Sequence, residues 1–129
     1  TRSMRVIGHG VDIVEVGRIA AMLKEHGERF LTRCFTQGER GYSESRKRAA
    51  EHLAGRFAAK EAVLKAIGTG WRSGIAWTDV EVHLLPSGQP ELALHRAAAN
   101  AARQLGITEW KLSISHTEQY AIASVIGSG

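Results

Sequence analysis

A chain of 129 residues, 43% of them hydrophobic, is long enough for one domain with a real core and too short for two. Its 17 basic and 13 acidic residues leave a net charge of +4, which favours an anionic partner without choosing among nucleic acid, membrane surface, nucleotide and acidic protein. No apolar run is long enough to cross a bilayer, no signal-like stretch follows Thr1-Arg2-Ser3-Met4, and the single cysteine, Cys34, allows no internal disulfide or paired-cysteine zinc site and agrees with a reducing cytoplasm.

Residues 1–3 are set aside as a remnant ahead of Met4, so one domain is expected over 4–129. Arg5 to Val14 is rich in Val and Ile and reads as a strand, with Gly8 and Gly10 either weakening it or admitting close backbone approach. Gly8-His9-Gly10 lacks the third glycine and following helix of a phosphate-binding loop. Asp12 is an acid in an otherwise apolar strand. It caps a neighbouring loop, pairs with a buried base, or binds a metal. Ile19 to Phe30 has helical spacing, with Ile19, Met22 and Leu23 on one side. Arg40 to Arg48 is polar and basic, and its run Arg46-Lys47-Arg48, with the high pI near 9.6, suggests a nucleic-acid-binding module as a rival. Such a module wants stacking aromatics among its cations, and none lies within that run.

Ala49 to Ile67 reads as a long helix that stops at Gly68-Thr69-Gly70, where glycine takes a left-handed cap. At about 100° per residue, Leu53, Phe57, Leu64 and Ile67 form an apolar stripe. Glu61 falls inside the stripe and Lys65 sits at its edge, while Arg56 and Lys60 occupy the opposite flank. Glu61 and Lys65 form either an ordinary i,i+4 pair or part of a site in which a metal or cation compensates a carboxylate on an apolar face. Two carboxylates from distant segments, Asp12 and Glu61, together with phosphate oxygens of a substrate, would suit Mg²⁺. Asp79 to Leu85 and Pro90 to Leu94 read as strands joined through Pro86-Ser87-Gly88-Gln89, and His95 to Leu105 as a helix. Trp110 to His116 and Tyr120 to Ile126 alternate as strands of a final hairpin. His116, at a strand end, is either a histidine satisfied by a backbone carbonyl or a site residue. The expected class is α+β, a mainly antiparallel sheet packed on the long central helix.

The order of these signals resembles one family. Gly8-His9-Gly10-Val11-Asp12-Ile13-Val14-Glu15 with Arg18-Ile19, then Phe30, Arg33, Phe35-Thr36 and Glu39, are similar to the opening blocks of the holo-acyl-carrier-protein synthases, which are 4′-phosphopantetheinyl transferases. Ala54-Gly55-Arg56-Phe57-Ala58-Ala59-Lys60-Glu61-Ala62 with Lys65-Ala66-Ile67-Gly68-Thr69-Gly70 resembles their signature helix. Asp79-Val80-Glu81-Val82, Gly88-Gln89-Pro90 and Ser113-Ile114-Ser115-His116-Thr117 complete the likeness, which covers nearly all of the chain beyond Met4. His9 departs from it, standing where an apolar residue is usual, and Cys34-Phe35 replaces a more aliphatic pair.

The resemblance implies a Mg²⁺-dependent transfer of 4′-phosphopantetheine from coenzyme A to a serine of an acyl carrier protein, with 3′,5′-ADP leaving, in fatty acid biosynthesis. It implies Asp12 and Glu61 as metal ligands and Glu61 and Lys65 as catalytic groups, with either Glu61 or a metal-bound water taking the serine proton. Whether Mn²⁺ can replace Mg²⁺ is left open. Coenzyme A contacts are implied at Arg56, Phe57, Lys60, Lys65, Gly68, Thr69, Gly70, His116 and Thr117. Arg18 is implied to meet the acidic carrier, and Arg29 and Arg33 extend that basic surface by their charge. The resemblance also implies a homotrimer with sites between subunits, no nucleic acid and no membrane insertion. An inactive trimeric scaffold is the remaining rival, and it has no need of Asp12, Glu61 and Lys65 together.

Overall fold

The computed structural model of the chain describes residues 3–40, 46–69 and 74–129, with the main chain only for Arg46 and Lys47. Strand β1 (Val6–Glu15) runs directly into helix α1 (Val16–His26), followed by α2 (Glu28–Cys34) and the single turn α3 (Gln37–Arg40). The long helix α4 (Arg46–Ile67) comes next, then a 3₁₀ turn at Trp77–Asp79. Strands β2 (Val80–Leu84) and β3 (Pro90–Leu94), helix α5 (Arg96–Gln104) and strands β4 (Glu109–His116) and β5 (Tyr120–Ser128) complete the order. The sheets are antiparallel: β1-β5-β4 in one, β2-β3 in the other. The α+β class and both expected hairpins are present.

Three expectations need correction. The helix read over Ile19–Phe30 is two helices, because Gly27 takes φ 48°, donates its N–H to the Leu23 carbonyl 3.0 Å away and turns the chain. Asp79 lies in the 3₁₀ turn and not in a strand. It is buried, accepting from Arg96 Nε at 2.8 Å and from the Ala76 amide at 3.1 Å.

The third correction concerns α4, which carries no single apolar stripe. From Leu53 to Lys60 every residue is buried, and so are Ala62, Val63 and Leu64. The reason is side-chain volume. Ala54, Ala58, Ala59 and Ala62 let other elements approach until the helix is enclosed on nearly all sides. Its partners are β1 and β5 on one side and α1 on another.

Gly8 and Gly10 make the approach of β1 possible. A Cβ at Gly10 would collide with the Ala62 carbonyl oxygen and lie 2.8 Å from its carbon, and one at Gly8 would collide with the Ala66 carbonyl oxygen. Of the two sequence readings, close backbone approach is therefore the correct one. The strand lies against the helix backbone, its alternate residues Gly8, Gly10, Asp12 and Val14 turned toward α4. The other set faces outward, leaving Ile7, Val11 and Ile13 of β1 exposed beside Ile122 and Ile126 of β5.

Candidate active site

Once Gly8 and Gly10 seat β1 on α4, Asp12 is the next residue on the same strand face. Its side chain is 17% exposed. Lys65 reaches across from α4, donating at 3.0 Å to Asp12 Oδ1 and at 3.0 Å to the Val11 carbonyl. Glu61 is half-buried one helical turn before Lys65. Asp12 and Lys65 thus meet at the seam between strand and helix, with Glu61 one turn before Lys65 on α4. The Asp12–Lys65 pair is largely in solvent on the lysine side, so its role is to arrange charge and not to hold the fold.

A second polar cluster forms roughly 13 Å earlier along α4, where Arg56 lies nine residues before Lys65. Arg56 is 8% exposed and its Nη1 lies 3.1 Å from His52 Nδ1. Burial and the Arg56 charge push the His52 pKa down to about 4, with the Glu39 backbone opposing and the nearby His116 adding to the depression. His116 ends β4 opposite Ala121 and is exposed. Asp12 and Ile114 pair with Ala123 from the two sides of β5, which sets the His116 end of β4 across the sheet from Asp12. Thr117 follows in the turn, its Oγ1 accepting from the Gln119 and Tyr120 amides.

Two expected coenzyme A contacts lie elsewhere. Lys60 is fully buried, and its ammonium donates to Glu39 Oε1 at 2.9 Å, to the Trp77 carbonyl at 3.0 Å and to the Val80 carbonyl. All three donors are used inside the core, so Lys60 is a structural cation and does not reach a phosphate. Burial pushes its pKa down and the Glu39 carboxylate opposes that shift. Phe57 stacks on Trp77 with centroids 4.6 Å apart and lies under the Arg18 guanidinium at 5.6 Å. It lines a cavity of about 370 Å³ that also gathers Arg18, Arg29, Arg33, Phe30 and Met22. Phe57 therefore keeps company with the arginines expected on the carrier side. Cys34 lines the same cavity, its thiol pKa pushed up by burial.

Gly68 ends α4 in the expected left-handed conformation at φ 86°, with Thr69 after it. Gly70 lies outside the described residues, as do the side chains of Arg46 and Lys47.

Sequence reasoning noticed Glu39 only through resemblance, yet it organises the interior. It accepts from Lys60, from the Val82 amide at 2.9 Å and from the Thr36 amide at 2.9 Å, and its own amide donates to Thr36 Oγ1 at 3.3 Å. The Thr36-x-x-Glu39 spacing is a capping box, a signal that marks α3 but not the partner on α4.

Among the described residues no group of three or more His, Cys, Asp or Glu gathers to hold a metal. Asp12 and Glu61 supply hard oxygen donors. That set fits Mg²⁺, which takes one or two carboxylates and completes its shell with water and substrate phosphates.

The chain matches the family model of the 4′-phosphopantetheinyl transferase superfamily over residues 8–125. It is 52% identical over 121 residues to the holo-[acyl-carrier-protein] synthase of Koribacter versatilis, covering 94% of this chain and 97% of that one. Among solved structures, it resembles the acyl carrier protein synthase of Plasmodium yoelii with ADP bound (31% identity, TM-score 0.87, 99% and 98% coverage). The Bacillus anthracis holo-(acyl-carrier-protein) synthase in complex with CoA (3′,5′-ADP) is similar at 35% identity, TM-score 0.79, with 98% and 99% coverage.

Proposed function

Because the chain belongs to the 4′-phosphopantetheinyl transferase superfamily, as an enzyme of the holo-[acyl-carrier-protein] synthase kind, we propose that it performs that transfer with coenzyme A as donor and Mg²⁺ as required ion, releasing 3′,5′-ADP. The observation that supports this reading is the contact of Lys65 with Asp12 at 3.0 Å across the β1–α4 seam, one helical turn from Glu61.

Asp12 and Glu61 are the residues that would hold Mg²⁺, and the ion would supply neutralisation of charge on the pyrophosphate of coenzyme A. The serine oxygen of the carrier forms a bond to the β-phosphorus while the bond from that phosphorus to the bridging oxygen breaks, and 3′,5′-ADP leaves with the bonding pair. Glu61 takes the serine proton, directly or through water. Lys65 is exposed and cationic, so it stabilises the charge that builds on the departing phosphate. Arg56, His116 and Thr117 bind phosphate further along the donor, and the Gly68-Thr69 turn lets the ligand lie close to the backbone. Lys60, its donors spent inside the core, and Phe57, stacked on Trp77 in the arginine-lined cavity, stand outside this contact set.

The carrier docks on the arginine-lined cavity. Arg18, Arg29 and Arg33 supply positive charge there, and Phe57, Phe30 and Met22 an apolar floor. The outer sheet face supports the homotrimer: Ile13 is 61% exposed and pairs with Ile122, and Ile7, Val11 and Ile126 continue the patch. Among the described residues no helix is long and apolar enough to cross a membrane, and the free thiol of Cys34 needs no oxidising compartment, in keeping with work in the cytoplasm for fatty acid synthesis.

The test is the intact mass of an apo acyl carrier protein incubated with this protein, coenzyme A and Mg²⁺. A gain of about 340 Da, one phosphopantetheine arm, is expected, lost on chelation and in Glu61→Gln. No gain with several carriers would overturn the activity. A full gain in Glu61→Gln would remove the carboxylate from the metal site.

A further inference from the structure

Arg56 sits in an environment that disfavours a mobile guanidinium. It is 8% exposed, on a helix enclosed on nearly all sides, and its Nη1 lies 3.1 Å from His52 Nδ1. Arginine only donates, so Nδ1 accepts, and the imidazole carries its proton on Nε2. His52 lies one i,i+4 step before Arg56 on α4, and the backbone of Glu39 on α3 lies near enough to oppose the fall in its pKa. It lines a small cavity of about 100 Å³ whose other walls include Glu39, Arg40, Leu23 and Leu31. The ring is thus wedged between α3 and α4, with an acceptor presented to Arg56 at a fixed place. A neutral ring suits that task, since a second proton would turn the acceptor into a donor facing a cation. The low pKa of His52 keeps it neutral throughout the neutral range.

We propose that His52 is a positioning residue for coenzyme A binding: by accepting from Arg56 at Nδ1 it fixes the guanidinium in the orientation that receives a phosphate of the donor. The inference rests on the assignment of Arg56 as a phosphate contact. His52 touches no substrate itself, and its influence falls on the donor and not on the carrier.

The experiment is a double-mutant cycle of His52→Phe and Arg56→Ala, with His52→Asn as the conservative variant, because the Asn side-chain oxygen can stand where Nδ1 stands. Steady-state kinetics are read for both substrates, with thermal unfolding alongside. Phe keeps the ring volume and removes the acceptor. His52→Phe should raise KM for coenzyme A about tenfold or more, the weight of one hydrogen bond to a charged group, and leave KM for the carrier within about twofold. His52→Asn should recover most of that loss, and in an Arg56→Ala background His52→Phe should add nothing further. His52→Leu serves in the same comparison where the Phe variant does not fold.

If Arg56→Ala raises KM for coenzyme A while the His52 variants do not, the positioning role falls and the Arg56 contact stands. If Arg56→Ala itself leaves that KM unchanged, the contact and the positioning role fall together. Equal rises in both substrates' KM that track lost thermal stability would make His52 a packing residue and overturn the proposal.

Discussion

Replacing Lys60 with methionine tests the correction on which the shape of the site depends. Methionine has nearly the length of lysine and is apolar, so Lys60→Met removes the charge and leaves the space filled. The Glu39 carboxylate, 1% exposed, would keep its Thr36 and Val82 amide donors and lose its cation, and the Trp77 and Val80 carbonyls would each lose a donor. Breaking a buried pair on one side costs about 3–5 kcal/mol. With an unfolding entropy of about 2.1 cal/mol/K per residue, a chain of this length loses roughly 11–18 °C of Tm. The assay is calorimetric or guanidinium unfolding at fixed protomer concentration, because self-association would make Tm depend on it. Kinetics well below the transition should show KM for coenzyme A within about twofold of the parent, since no substrate contact is removed. Glu39→Gln combined with Lys60→Met should recover part of the loss, as the uncompensated carboxylate disappears. A Lys60→Met protein that unfolds within about 1 kcal/mol of the parent and binds coenzyme A tenfold more weakly would refute the reasoning and return Lys60 to the phosphates.

Gly10→Ala should destabilise by roughly 3 kcal/mol or more, because the new methyl meets the Ala62 backbone and β1 must lift off α4; denaturant unfolding reads it. Gly17→Ala is the matched control. Nothing lies within 4 Å of its Cβ position in α1, and a gain of about 0.5–1 kcal/mol is expected from helix propensity. Arg18→Ala should raise KM for the carrier about fivefold or more and KM for coenzyme A little, with weaker salt dependence of the carrier reaction, since Arg18 stands over Phe57 at the mouth of the arginine-lined cavity; unchanged carrier kinetics would sink that docking surface. Ile13→Lys puts a charge in the exposed apolar sheet face, so light scattering should show the mass falling from a trimer toward a single chain. A parent protein already monomeric at micromolar concentration would remove the trimer instead.

The hairpins were legible because each is a local pattern. Val80–Leu84 and Pro90–Leu94 flank a Pro-Ser-Gly-Gln turn, and Glu109–His116 and Tyr120–Ser128 alternate with period two on either side of Thr117. The terminus of α4 was legible for the same reason, from Gly68. Gly27 was not read as a break, because a lone glycine inside a helical spacing is as often tolerated as obeyed. Asp12 and Glu61 stand out in the sequence as acids among apolar residues, with Lys65 at the edge of the stripe, and motif order implies their roles. The structure then brought Asp12 and Lys65 into contact across 53 residues of chain.

The amino-acid sequence by itself determined the family, the α+β class, most element positions and which charged residues stand in apolar settings, since all of these follow from residue type, short-range spacing and motif order. Tertiary structure alone decided which charges meet. A helical wheel treats Arg56 and Lys60 as one basic flank open to solvent. The small side chains of α4 instead let other elements close around it, so that Glu39 from α3 takes Lys60, and Trp77 and Arg18 take Phe57. Such encounters depend on how closely non-adjacent backbones can approach, a property of volumes on both partners that no periodicity within one segment contains.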